Sequence, residues 1–232
     1  MRIKGPAFSV AENEVWKTLF ERQIDRLMEH ACDEFIRGWE QLELPADRIP
    51  HLEHLNKRIK PQTGWEVVRT KVRYSDAVQW YQAFAQKKFM VTDYIRTMEE
   101  LDFTPEPDMF HDIFGHLPFM TLPEYTELQE LFAPAFHRAD DNHKEDIKRL
   151  AWFSTEFGLM EQNGALKIFG AGLISSKGEM ENVLTDGVQL EPFTIENVLE
   201  HDKAIWSYNE TLFVVESVEG LKRQLSEYFD SF

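Results

Sequence analysis

The segment Thr104-Pro105-Glu106-Pro107-Asp108-Met109-Phe110-His111-Asp112-Ile113-Phe114-Gly115-His116-Leu117-Pro118 constrains this chain more than any other. Two histidines stand five residues apart, with Pro105 and Pro107 before them and Pro118 behind. On an ideal helix of 3.6 residues per turn, residues i and i+5 lie about 140° apart, so His111 and His116 cannot share a face. Gly115 supplies an exit. A helix that stops there can fold back and bring His116 beside His111, and Pro118 bars its continuation. Farther on, Trp152-Phe153-Ser154-Thr155-Glu156-Phe157-Gly158 plants a carboxylate among aromatic side chains. An ionised carboxylate in that setting needs a partner or a metal. Two imidazoles and one carboxylate, His111, His116 and Glu156, can hold iron(II) on one side and leave its other positions open. The same set also serves catalytic zinc, and the spacing does not separate the two metals.

Composition narrows the function classes. The chain has 41 acidic and 25 basic residues, a net charge of −16. That excludes a nucleic-acid groove, which works by displacing counterions, and an anionic membrane surface. One cysteine, Cys32, rules out an internal disulfide and fits a reducing, cytoplasmic setting. No signal peptide and no apolar run long enough to span a bilayer are visible. The 232 residues contain no Gly/Ser or Pro-rich linker, which points to a single domain over 1–232, with 1–10 as a loose arm.

Periodicity predicts a helix over residues 12–43, broken by Pro45 and Pro50, and a shorter one over 52–59 ending in the Pro61–Gly64 turn. Residues 65–72 and 88–96 read as strands, with a helix between them capped by Ser75 or Asp76. Further helices are expected over 123–132, 144–160, 194–201 and 218–228, and a strand over 212–216. Asn163-Gly164 between β-prone stretches signals a hairpin. The expected class is mainly α with small antiparallel β pieces.

The same residues carry a family resemblance. Thr104-Pro105-Glu106-Pro107-Asp108, His111, Gly115-His116, Trp152-Phe153, Glu156-Phe157-Gly158-Leu159 and Gly170-Ala171-Gly172-Leu173 resemble the tetrahydropterin-dependent aromatic amino acid hydroxylases. So do Ser175-Ser176, Gly178-Glu179, Trp16-Lys17-Thr18-Leu19, Ile49-Pro50-His51-Leu52-Glu53, Thr63-Gly64-Trp65 and Val214-Val215-Glu216-Ser217. The match covers nearly the whole chain, in the style of single-domain bacterial members with no regulatory or tetramerising segment.

The resemblance implies the family's catalytic fold, an Fe(II) and a tetrahydropterin cofactor, and His111, His116 and Glu156 as the iron ligands. It makes Arg96 the grip on the substrate carboxylate, a task suited to a planar guanidinium. Thr104 and Ser175 become hydroxyls near the amino acid backbone. Trp152 and Phe157, with Ile205, line the ring pocket, and Glu179 is a supporting buried acid. The pterin side departs from the family. Trp80 stands at the place of a stacking phenylalanine and Asp112 at that of a glutamate; Met90 and Ala151 replace a histidine and a tyrosine. Trp80 and Asp112 are the expected pterin contacts. The implied reaction is ring hydroxylation of a free aromatic amino acid, phenylalanine to tyrosine, with O2 and reduced pterin, by a monomer. Rival readings are tryptophan hydroxylation, a zinc-dependent hydrolase on the same triad, and a non-catalytic amino-acid-binding homologue.

Overall fold

The computed structural model describes residues 8–73, 76–102, 106–185, 187–204 and 207–232. The single helix expected over 12–43 is two, α1 (Val10–His30) and α2 (Asp33–Leu42). Ser9 and Glu12 cap α1 reciprocally. The break has a tertiary cause. Ala31 and Cys32 are buried and extended, and the Cys32 N–H donates to the Ile168 carbonyl at 2.9 Å. A strand has taken a hydrogen bond that a continuous helix would use internally. Asp33 and Glu34 then restart the helix at its positive end.

Helix α3 (Leu52–Thr63) runs through Pro61 and stops at Gly64, whose φ of 77° is left-handed. Next come β1 (Glu66–Thr70), α4 (Ala77–Phe84, capped by Asp76) and β2 (Lys88–Thr92). β1 and β2 pair in parallel, with Val67 opposite Phe89. The expectation of antiparallel pieces fails here because residues 71–87 contain α4, and a helical crossover returns the chain in the same direction. The second sheet has the order β4-β3-β6-β5. Within it, β3 (Leu159–Gln162) and β4 (Ala165–Ile168) form the expected antiparallel hairpin, with φ of 55° at Asn163 and 74° at Gly164. Strand β6 (Thr211–Val215) runs parallel to both β3 and β5 (Gln189–Pro192).

The remaining helices are α5 (Pro123–Arg138), α6 (Asp141–Ala151), α7 (Ala171–Ser175), α8 (Lys177–Leu184), α9 (Ile195–Leu199) and α10 (Val218–Phe229). Two π-helical turns, His111–His116 and Trp152–Glu156, carry the motifs singled out above. The helix expected over 144–160 ends in the second of them. The first is anchored by the core: Phe110 and Phe114 stack at 4.5 Å, Trp16 meets Phe110 at 5.4 Å, and Trp39 meets Phe114 at 5.0 Å. Residues at i and i+4 of the motif thus plug into an aromatic surface built by α1 and α2, and the histidines face the other way.

Candidate metal centre

The five-residue spacing is resolved by winding, not by termination. A π turn closes i→i+5 hydrogen bonds. Its wider loop brings the fifth residue almost above the first, so His116 returns to the face of His111. The helix stop expected at Gly115 is therefore corrected: the chain continues through it. Glycine is needed there for another reason, since a Cβ at Gly115 would lie 2.7 Å from the Ala171 carbonyl oxygen. The second π turn does the same service for Glu156. The Phe157 N–H bonds the Trp152 carbonyl at 2.9 Å, and the chain then leaves the helix for β3.

These two turns bring the predicted triad together. Potential ligand atoms of His111, His116 and Glu156 all lie within 4.8 Å of one another. The two Nε2 atoms are 3.1 Å apart. Glu156 Oε2 is 3.5 Å from His111 Nε2 and Oε1 is 3.2 Å from His116 Nε2. Ligands about 2.1 Å from one ion stand about 3.0 Å apart at right angles, so the three groups fit a single ion with little movement. Ser175 sets the tautomer of the first ligand. Its hydroxyl donates to the Ala171 carbonyl at 2.9 Å, so it accepts from His111 Nδ1 at 2.8 Å. The proton sits on Nδ1 and the Nε2 lone pair is free for metal.

The electrostatics suit the same role. Burial and the neighbouring His116 push His111 down to about 4, keeping it a neutral ligand. Burial alone would raise Glu156, but His116 and His111 outweigh it and draw the carboxyl down to about 2. Burial would likewise lower His116, yet the Glu156 carboxylate raises it. Neutral His111 and ionised Glu156 are the forms a cation needs, and a metal would compete with the proton that Glu156 favours on His116.

Around the triad the other expected residues divide. Arg96 is buried, not on the surface. Its Nε and Nη2 each donate to the Asp108 carboxylate at 2.9 Å. Asp108 is fully buried and also accepts from Arg96 N at 3.0 Å and His111 N at 3.1 Å, in the manner of an N-cap on the helix that becomes the π turn. Asp108 lies in the motif without an expected role; its one signal in the sequence is an acid three residues before His111. Asp112 Oδ2 accepts the Thr92 N–H at 2.8 Å, tying β2 to the first π turn, and burial pushes this carboxyl up to about 7. Glu179 is buried in the first turn of α8, with Oε2 unpartnered among the described residues, and burial lifts it to about 7. Thr104 and Ile205 lie outside the described residues.

Trp152 and Phe157 meet ring to ring at 4.5 Å. Phe157 fits because residue 172 is glycine, where a Cβ would approach its ring to 2.8 Å. Trp80 packs on Phe84 at 4.9 Å and edge-on against Phe89 at 5.2 Å, and Phe89 touches the His116 ring at 5.3 Å. Trp80 also lines a small cavity with His116, Glu156, Gln129, Ala151 and Thr155. Gln129 and Thr155 had no signal in the sequence, because the fold alone brings α5 and the second π turn to one cavity.

The family model of biopterin-dependent aromatic amino acid hydroxylases matches residues 2–232. The chain belongs to that family. It is similar to the phenylalanine-4-hydroxylase of Caulobacter vibrioides, 36% identical over 93% of this chain and 74% of the relative. Among solved structures, the apo cold-active phenylalanine hydroxylase of Colwellia psychrerythraea 34H superposes with a TM-score of 0.89 at 32% identity, covering 98% of this chain and 91% of the other. The Chromobacterium violaceum phenylalanine hydroxylase with bound iron(III) and 7,8-dihydrobiopterin superposes with a TM-score of 0.89 at 31% identity, covering 96% of this chain and 81% of that one. The mainly helical catalytic fold is thereby established, and the zinc hydrolase reading gives way to the family's chemistry.

Proposed function

We propose that this chain is a phenylalanine hydroxylase: a non-haem iron(II) monooxygenase that converts free phenylalanine to tyrosine with O2 and a reduced pterin. The observation that carries the reading is the preformed triad of His111, His116 and Glu156, with the His111 tautomer set by Ser175. When bound, iron and reduced pterin supply the electrons and the activation of O2. The rest falls to side chains. His111 and His116 hold the ion through Nε2, and Glu156 gives the third ligand. Asp108 clamps one edge of Arg96, which leaves guanidinium hydrogens on Nη1 and Nη2 to take the substrate carboxylate. Trp152 and Phe157 flank the aromatic ring, and Glu179 is the buried acid that supports the substrate network. Trp80 forms one side of the pterin pocket and Asp112 the other.

No described helix is long and apolar enough to cross a membrane. A monomer working in the cytoplasm is part of the proposal, and light scattering tests the first half of it. The decisive experiment is anaerobic loading with Fe(II), then addition of phenylalanine, O2 and tetrahydropterin, with products identified by mass. Tyrosine in proportion to pterin consumed is expected. Hydroxylated tryptophan formed faster than tyrosine would replace the substrate, and pterin-independent turnover would remove the reductant from the scheme.

A further inference from the structure

We propose that Asn209 is a positioning residue for the substrate ring: it fixes the Trp152 indole in the plane that the aromatic ring packs against. The inference rests on the reading of Trp152 and Phe157 as the ring pocket. Indole has a single polar group, the Nε1–H donor. In this fold it donates to Asn209 Oδ1 at 3.0 Å, and Asn209 is only 2% exposed. The amide must present its oxygen to the indole, since the opposite orientation would set donor against donor.

That choice has a cost. Asn209 Nδ2 is buried with no hydrogen-bond partner among the described residues. A buried amide donor without a partner destabilises a fold; an apolar side chain of the same size would remove that donor and leave only the Trp152 Nε1–H without its acceptor. Packing therefore does not account for asparagine at this place. Its hydrogen bond to Trp152 does.

The consequence reaches the metal. Trp152 opens the π turn that ends at Glu156, and its ring rests on Phe157, which is itself confined by Gly172. The indole is thus held on one side by Phe157 and at its edge by Asn209. Asn209 stands just before β6, and β6 pairs with β3 at Leu159–Val214, directly after the turn that carries the ligand. Sheet pairing thus ties the strand that follows Asn209 to the strand that follows Glu156. An indole free to pivot would blur the ring position relative to the metal, and orientation is what a hydroxylase must control to attack one ring carbon.

Four variants test the idea, with phenylalanine binding to the Fe(II) protein measured by anaerobic calorimetry beside KM, kcat and Tm. Asn209→Leu should change the Tm little, since it removes the orphaned Nδ2 but leaves the indole N–H unpaired; it should leave Fe(II) content unchanged and raise the phenylalanine Kd and KM by about three- to tenfold, the worth of one buried hydrogen bond. Asn209→Asp keeps an acceptor, so it should restore phenylalanine affinity towards wild type even as the buried carboxylate lowers the Tm. In a Trp152→Phe background the indole N–H is gone, and Asn209→Leu should have no further effect on phenylalanine affinity. Loss of affinity in Trp152→Phe with none in Asn209→Leu would overturn the positioning role alone. Unchanged affinity in Trp152→Phe would overturn the ring-pocket reading and this role with it. If Asn209→Leu does not fold, Asn209→Gln, which displaces the amide by a methylene, is held to the same affinity criterion.

Discussion

Replacing Asp108 with asparagine should destabilise the protein by about 3–5 kcal/mol, the usual cost of removing one member of a buried ion pair. Asp108 is fully buried and accepts four hydrogen bonds, from Arg96 N, Nε and Nη2 and from His111 N, at 2.9–3.1 Å. Asparagine can present only one oxygen to these donors. Its Nδ2 would face a donor, and the Arg96 guanidinium would be left charged and buried. For a domain of this size the loss corresponds to a fall in Tm of roughly 6–20 °C. Urea denaturation is the assay: the midpoint should drop with the slope unchanged.

A pH series adds a second check on Asp108. Burial would raise the carboxyl, but the hydrogen bonds and charge of Arg96 and the His111 N–H hold it below its ordinary value. Its contribution is therefore full above the unfolded-state value of about 3.9 and is lost as pH falls through the lower folded value. Wild-type and Asp108→Asn stabilities should converge in acid. The apolar pair Asp108→Leu with Arg96→Met should recover much of the stability while phenylalanine affinity stays lost. A loss below about 1 kcal/mol in Asp108→Asn, or recovery of affinity in the apolar pair, would refute the argument.

His111→Ala, His116→Ala and Glu156→Ala should each abolish stoichiometric Fe(II) binding and turnover; full activity in any one of them removes the triad. Ser175→Ala should leave the fold intact but weaken Fe(II) affinity by about ten- to a hundredfold, as loss of a ligand's supporting hydrogen bond does, measured by chelator competition. Trp80→Ala should raise the tetrahydropterin KM by the equivalent of about 1–3 kcal/mol and spare phenylalanine binding, whereas Trp80→Phe should be mild. Glu179 is raised to about 7 from an ordinary 4.5. The folded state therefore binds more protons than the unfolded one between those values, and stability falls as pH rises across them by at most about 3 kcal/mol. Glu179→Gln should flatten that decline in Tm, and a parallel decline would show that another group is responsible.

What the sequence determined by itself was chemistry and local form. His111, His116 and Glu156 were legible because their residue types and proline frame are local facts. The cap at Asp76 and the Asn163-Gly164 turn were legible because each depends on dihedrals and hydrogen bonds within a few residues. The tertiary structure decided how those pieces are wound and paired. The π turn that unites the histidines is held by Phe110 and Phe114 in the α1–α2 surface, and a helical wheel contains no term for that contact. The break at Ala31–Cys32 exists because Ile168, far along the chain, takes a hydrogen bond there. β1 and β2 are parallel because α4 lies between them. Arg96 was read as the grip on the substrate carboxylate, and its clamp by Asp108 and the indole's clamp by Asn209 appeared only once the chain had folded. A buried polar partner is selected by desolvation, which drives each such group to whatever complementary atom the whole fold brings within reach, and that atom has no fixed distance along the chain.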